Sequence, residues 1–263
     1  MGPKARVLAL SAEQTARNAL GAYDLPEARL RVIRTTNNDV FEVTGRGAPY
    51  ALRVHRPDYR SPAQVRSELL FLSFVADELR ITRIDVPRPV ATGNGDLARR
   101  GRLGTIRRVL TWVDGRELKP TRGLGRRSSA LLGEGLARLH DAAARFEPEP
   151  GFELPTWNAD RMLTEASPFR PGPLDTVLPP EALELLGELD ERTRAVFAEL
   201  DRIPDTQGII HSDLVLVNCR AREDRPRRRP LRRLSRLGRA GLPGPALTPA
   251  TLRPVTRFYH VTT

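Results

Sequence analysis

Cysteine is nearly missing from this chain: Cys219 stands alone in 263 residues. That excludes an internal disulfide and suits a reducing compartment. Lysine is almost as scarce, with 2 residues against 41 arginines, a bias that points to GC-rich codons. No apolar run approaches the roughly eighteen residues a spanning helix needs, so no membrane segment is expected. The N-terminus carries Lys4 and Arg6 but no long apolar core or cleavage pattern, so no secretory leader is expected. The expected location is the cytoplasm.

Acid is missing from one region only. Residues 220–263 hold 12 of the 43 basic residues but only Glu223 and Asp224 among the 32 acids, so +10 of the net +11 sits there. The remaining 219 residues are close to neutral. The basic balance therefore says nothing about the ligand of the folded body, and nucleic acid is not its expected partner.

What is present is an ordered series of elements. Ser11-Ala-Glu-Gln14 has the form of a capping box opening a short helix to about Leu20. Residues 29–34, 39–44 and 50–54 alternate or cluster apolar side chains as strands, with Thr35-Thr36-Asn37-Asn38 as the first turn, and predict an antiparallel meander. Ser61, Pro62 and Gln64 form a second capping box, followed by Val65, Leu69, Leu72, Ala76 and Leu79 at helical spacing. A further strand is expected within 103–113, helices over about 128–145 and 180–200, and a short buried strand at Gly208–Ile210. Strands first and helices after predict an α+β protein of two lobes divided near residue 114.

The chemistry gathers after that last strand. His211-Ser-Asp213-Leu-Val-Leu-Val-Asn218 places a carboxylate and an amide on one loop. Such a pair serves phosphoryl transfer: the carboxylate accepts the proton of an attacking hydroxyl, and the amide oxygen helps hold Mg²⁺ beside the phosphates. His211 reads as a buttress bonded to the loop backbone. Upstream, Arg53 on the third strand offers a cation for phosphates, and Glu68 on the capped helix could hold it. The bland alternative is a solvated Arg53, a surface Glu68 and an Asp and Asn that only stabilise a turn. The order of the four residues favours the first reading.

Tyr50-Ala-Leu-Arg-Val-His-Arg-Pro57, Arg66-Ser-Glu-Leu69, Val86-Pro-Arg-Pro89, Thr111-Trp-Val-Asp-Gly115, Gly135-Leu-Ala-Arg-Leu-His140 and Gly208-Ile-Ile-His-Ser-Asp213 together resemble the phosphotransferase enzyme family. That family includes aminoglycoside phosphotransferases, choline kinases and homoserine-kinase-type enzymes. The resemblance implies a two-lobed, protein-kinase-like fold: an antiparallel N-lobe sheet and a mostly helical, incomplete C-lobe. ATP and Mg²⁺ would bind between the lobes, and a small-molecule hydroxyl would be the acceptor. The adenine is then expected at the backbone of Trp112 and Val113, and the phosphates at the turn bearing Asn38 and Val40 and against Arg53. Asp213 is implied as the base and Asn218 as a metal ligand, while His55 reads as structural.

The implied units are residues 1–113 as nucleotide-binding lobe, 114–219 as partial C-lobe and 220–263 as tail. Relatives carry a second His two residues after the base, where Val215 stands here, and a small or acidic residue where Val217 stands. They also need a second metal-binding Asp on an apolar strand soon after the Asn, whereas Asp224 lies among arginines and prolines. Residues 220–263 are open to three readings: a basic arm, a disordered tail, or, preferred, out-of-frame translation of GC-rich coding sequence. The chain as written is then expected to be weakly active or inactive. The competing class is a non-catalytic nucleotide-binding or basic-tail interaction protein.

Overall fold

The computed structural model describes residues 13–35, 38–45, 47–57, 60–82, 84–101, 104–118, 125–160, 174–204, 206–211, 213–221 and 257–260. Ser11, the Thr36–Asn37 turn centre and Asp224 lie outside them. The described elements begin with α1 (residues 13–20) and the strands β1 (Arg29–Thr35), β2 (Asn38–Thr44) and β3 (Tyr50–His55). Next come α2 (Pro62–Glu78), β4 (Pro89–Val90), β5 (Arg99–Arg100), β6 (Ile106–Thr111) and β7 (Arg116–Glu117). The remainder are α3 (Arg126–Ala143), β8 (Thr156–Trp157), α4 (Pro180–Leu200), β9 (Gln207–Ile210), β10 (Arg220–Ala221) and β11 (Arg257–His260).

The expected meander forms. The sheet runs β1-β2-β3-β6-β4, with β5 also on β6, and all its pairings are antiparallel. Strand alternation sends successive side chains to opposite faces. Phe41, Val43, Leu52, Val54 and Val109 point to one face and pack on Ala16, Ala19 and Leu20 of α1 and on Tyr23. Ala51, Ile106 and Leu110 point to the other and pack on Val65, Leu69 and Leu72 of α2.

The sequence cues for α2 are realised atom by atom. Ser61 Oγ accepts from the Gln64 N–H, and Gln64 Oε1 accepts from the Ser61 N–H, with Pro62 in the first turn. This helix has two apolar faces. Besides the sheet, it meets the second cluster through Phe71, Val75 and Leu79, which pack with Leu139 and Ala143 of α3, Leu154 and Ile209 of β9. Phe146 fastens that cluster, its ring centroid 5.2 Å from those of Phe71, Phe74 and Phe152. The sheet and the loop after β9 are thus held to one helix, whose Glu68 lies at their meeting.

β8, β11 and β9 form a second sheet, β11 being parallel to β9 and antiparallel to β8. β10 pairs with β7 and returns the chain to Gly115, whose φ of 136° and close approach to the Ala221 carbonyl leave no room for a Cβ. The apolar stripe of α4 stays largely exposed: Leu185, Leu189 and Val196 are all more than half open.

Candidate active site

The loop that follows β9 is internally braced. The Asp213 N–H donates to His211 Nδ1 at 3.3 Å. Asn218 Nδ2 donates to the Asp213 carbonyl and to its carboxylate Oδ2, each at 3.0 Å. The 3-10 turn Leu216–Asn218 brings the amide back over Asp213, so Asp213 and Asn218 stand in direct contact. Burial lowers the pKa of His211 below the ordinary imidazole value; its own backbone hydrogen bond and the charges of Asp213 and Glu68 oppose that, and Arg53 adds to it. A neutral ring leaves Nδ1 free to accept, which is the buttress role expected of it.

The charges of Glu68 on α2 and Arg53 on β3 both act on His211 at the head of this loop. Arg53 is 7% exposed. Glu68 is buried and its carboxylate receives Arg108 Nη2 at 2.7 Å, with both side chains almost wholly shielded from water. Arg108 lies directly across from Arg53 in the β3–β6 register. The sequence reading joined Glu68 to Arg53 alone; the structure adds Arg108 beside them. A signal for it was present, because Ile106–Leu110 carries two adjacent arginines on opposite faces, and one on a buried face must find a partner.

Asn38 is buried, faces His55 across β2 and β3, and its Oδ1 has no hydrogen-bond partner among the described residues. Val40 sits half-buried between Arg34 and Arg53 in the register. His55 is 1% exposed, and its pKa is lowered to about 2 by burial first and then by Arg108, Arg53 and Arg60. A neutral imidazole fills the space beside three guanidiniums without adding a fourth charge.

At the start of the connection to the C-terminal part, the Trp112 N–H donates to the Pro49 carbonyl and the Thr111 N–H to that of Arg88. The Val113 N–H carries no hydrogen bond among the described residues. Arg220 stacks its guanidinium 4.8 Å above the Trp112 ring and donates to the Gly115 carbonyl at 3.1 Å. Sequence spacing offered no cue to this contact. A groove of about 600 Å³ between α2 and residues 95–100 contains none of the expected site residues.

One observation bears on a metal ion. Asn218 Oδ1, the atom turned away from Asp213, is met at 3.3 Å by the cationic Arg34 Nη2. An oxygen donor already serving a cation suits a hard divalent ion. Among the described residues no group of three or more His, Cys, Asp or Glu gathers into a cage.

Residues 30–227 match the family model described as the phosphotransferase enzyme family. An uncharacterised protein of Deinococcus radiodurans is 33% identical over 204 residues, covering 75% of this chain and 55% of its own length. Among solved structures, a microcompartment-associated aminopropanol kinase is 25% identical, with TM-score 0.57, over 82% of this chain and 66% of that one. The amicoumacin kinase hAmiN, solved in complex with AMP-PNP, Ca²⁺ and Ami, superposes with TM-score 0.59 at 21% identity over 80% and 63%. The chain thus spans between about half and two thirds of the length of these relatives.

Proposed function

Because the chain belongs to the phosphotransferase enzyme family, we propose that it is built as an ATP-dependent kinase of a small-molecule hydroxyl, working in the cytoplasm and weakly active or inactive as written. The observation that carries this reading is the braced Asp213–Asn218 pair on a loop that Arg34 of the sheet meets at Asn218. The two kinases that share the fold support it. Residues up to 113 then form the nucleotide lobe and 114–219 the part bearing the catalytic loop, while β10 and β11 of the basic region 220–263 join its two small sheets.

In the proposed reaction the acceptor oxygen bonds to the γ-phosphorus as the bond from that phosphorus to the ADP oxygen breaks. Asp213 takes the proton of the hydroxyl. The bond from Asn218 Nδ2 to Asp213 Oδ2 orients the carboxylate, and Oδ1 would take the proton. His211 fixes the backbone of that residue. Arg53 meets the phosphates, with Glu68 and Arg108 setting its surroundings, while Asn38 and Val40 line the phosphate turn and Trp112 and Val113 the base. A divalent ion such as Mg²⁺, held by Asn218, supplies charge neutralisation at the phosphates.

Calorimetry of Mg·ATP binding on the full chain and on Arg53→Ala tests the reading. Binding weakened tenfold or more by the substitution is expected. An intact chain that takes up no nucleotide sinks the proposal. Asp213→Asn should bind ATP as the parent does while losing whatever phosphoryl transfer the parent retains.

A further inference from the structure

The register of the first hairpin slips by one residue. Leu30 pairs with Val43 and Val32 with Phe41, but Arg34 then pairs with Val40 and Thr35 with Asp39. Without the slip, Ile33 would oppose Val40 and Arg34 would join the face packed on α1. A bulge of this kind leaves one residue unpaired and re-aims the next side chain. Here Ile33 is left over and 41% exposed, and Arg34 is turned to the face that carries Arg53 and Arg108.

The pairings Arg34–Val40, Val40–Arg53 and Arg53–Arg108 follow in line across β1, β2, β3 and β6. Three guanidinium side chains therefore stand abreast on one face, with Val40 as the only uncharged member of the row. Arg108 is bound to Glu68. Arg31, also on β1, is ion-paired with Glu42. Arg34 differs: it is exposed, no carboxylate pairs with it among the described residues, and its contact is the neutral amide oxygen of Asn218 at 3.3 Å. That contact reaches from the sheet to the loop that carries Asp213.

We infer that Arg34 is a binding residue for the terminal phosphates of the nucleotide, turned toward the Asp213 loop by the bulge at Ile33. The inference rests on the nucleotide reading above. A guanidinium offers a planar fork of donors matched to phosphate oxygens. Its reach to Asn218 puts it at the end of the phosphate chain nearest Asp213. Without nucleotide it rests on the amide oxygen; with Mg·ATP it moves onto the phosphate and leaves that oxygen to the metal ion.

Binding of Mg·ATP and of AMP to the full chain by calorimetry separates the outcomes. Arg34→Gln is expected to weaken Mg·ATP about tenfold, the scale of a lost charged hydrogen bond, and to leave AMP unchanged. Arg34→Lys should recover part of the loss. Exchanging the two neighbours, Ile33→Arg with Arg34→Ile, keeps the composition but moves the charge to the unpaired position, and should bind ATP as weakly as Arg34→Gln. If the exchanged chain binds ATP as tightly as the parent, the bulge places nothing and the inference falls. Equal losses for ATP and AMP make Arg34 a tie between strand and loop, which also overturns it. A parent chain that binds neither nucleotide defeats the kinase reading itself, and this inference with it.

Discussion

At the scale of single residues, the buried pair Arg108–Glu68 has most to lose. Two charges out of water are held by each other, and removing one leaves the other stranded at a cost of about 3–5 kcal/mol. Arg108→Met is therefore expected to destabilise the fold by that order, read from urea unfolding. The double replacement Arg108→Met with Glu68→Leu should recover most of the loss, because an apolar pair of similar volume needs no compensation. The same double variant is expected to weaken Mg·ATP binding, since it strips the surroundings of Arg53. Sequence spacing informs about contacts where the partners are local. Asp213, Asn218 and the His211 brace lie within one loop, and all three contacts are present. The sequence reading named Arg53 and Glu68 but missed Arg34 and Arg108, which only cross-strand register brings alongside.

At the scale of elements, α2 and α4 contrast. Both have apolar residues at helical spacing, and in sequence they look alike. In the fold, Leu69 of α2 is fully buried, whereas Leu185 and Leu189 of α4 are exposed. Leu69→Ala is expected to cost about 2–5 kcal/mol. Leu189→Gln should stay within about 0.5 kcal/mol, as surface substitutions do, and the comparison of two urea midpoints checks both. Ser61→Ala removes one half of the capping box and should cost about 1 kcal/mol. Caps are legible because their partners lie three residues apart. Burial of a helix face is not, because it depends on which element arrives to cover it.

For the whole molecule, acid stability carries the clearest expectation. His55 in the unfolded chain titrates near its ordinary value of 6.5, while in the fold it is held down to about 2. Above 6.5 both states are neutral there. Between 6.5 and 2 the unfolded chain takes up a proton that the folded one refuses, so stability falls as pH falls. The loss is at most about 1.4 kcal/mol per pH unit for one such group. His211, also lowered, acts with the same sign. The slope of unfolding free energy against pH from 6.5 to 4.5 should be flatter in His55→Asn than in the parent. An unchanged slope would place that histidine in water.

Sequence alone determined the order of elements, the antiparallel meander, the capped helix and the loop that pairs Asp213 with Asn218. Each of these depends on residues near one another along the chain, where spacing is geometry. Tertiary structure decided which arginines share a face, which carboxylate each charge meets, and which apolar stripe is covered. The hairpin shows the reason most plainly: a register shift of one residue exchanges Ile33 for Arg34 on the face that carries Arg53 and Arg108. Nothing in composition or periodicity announces it, because the shift is settled by pairing between strands rather than within one.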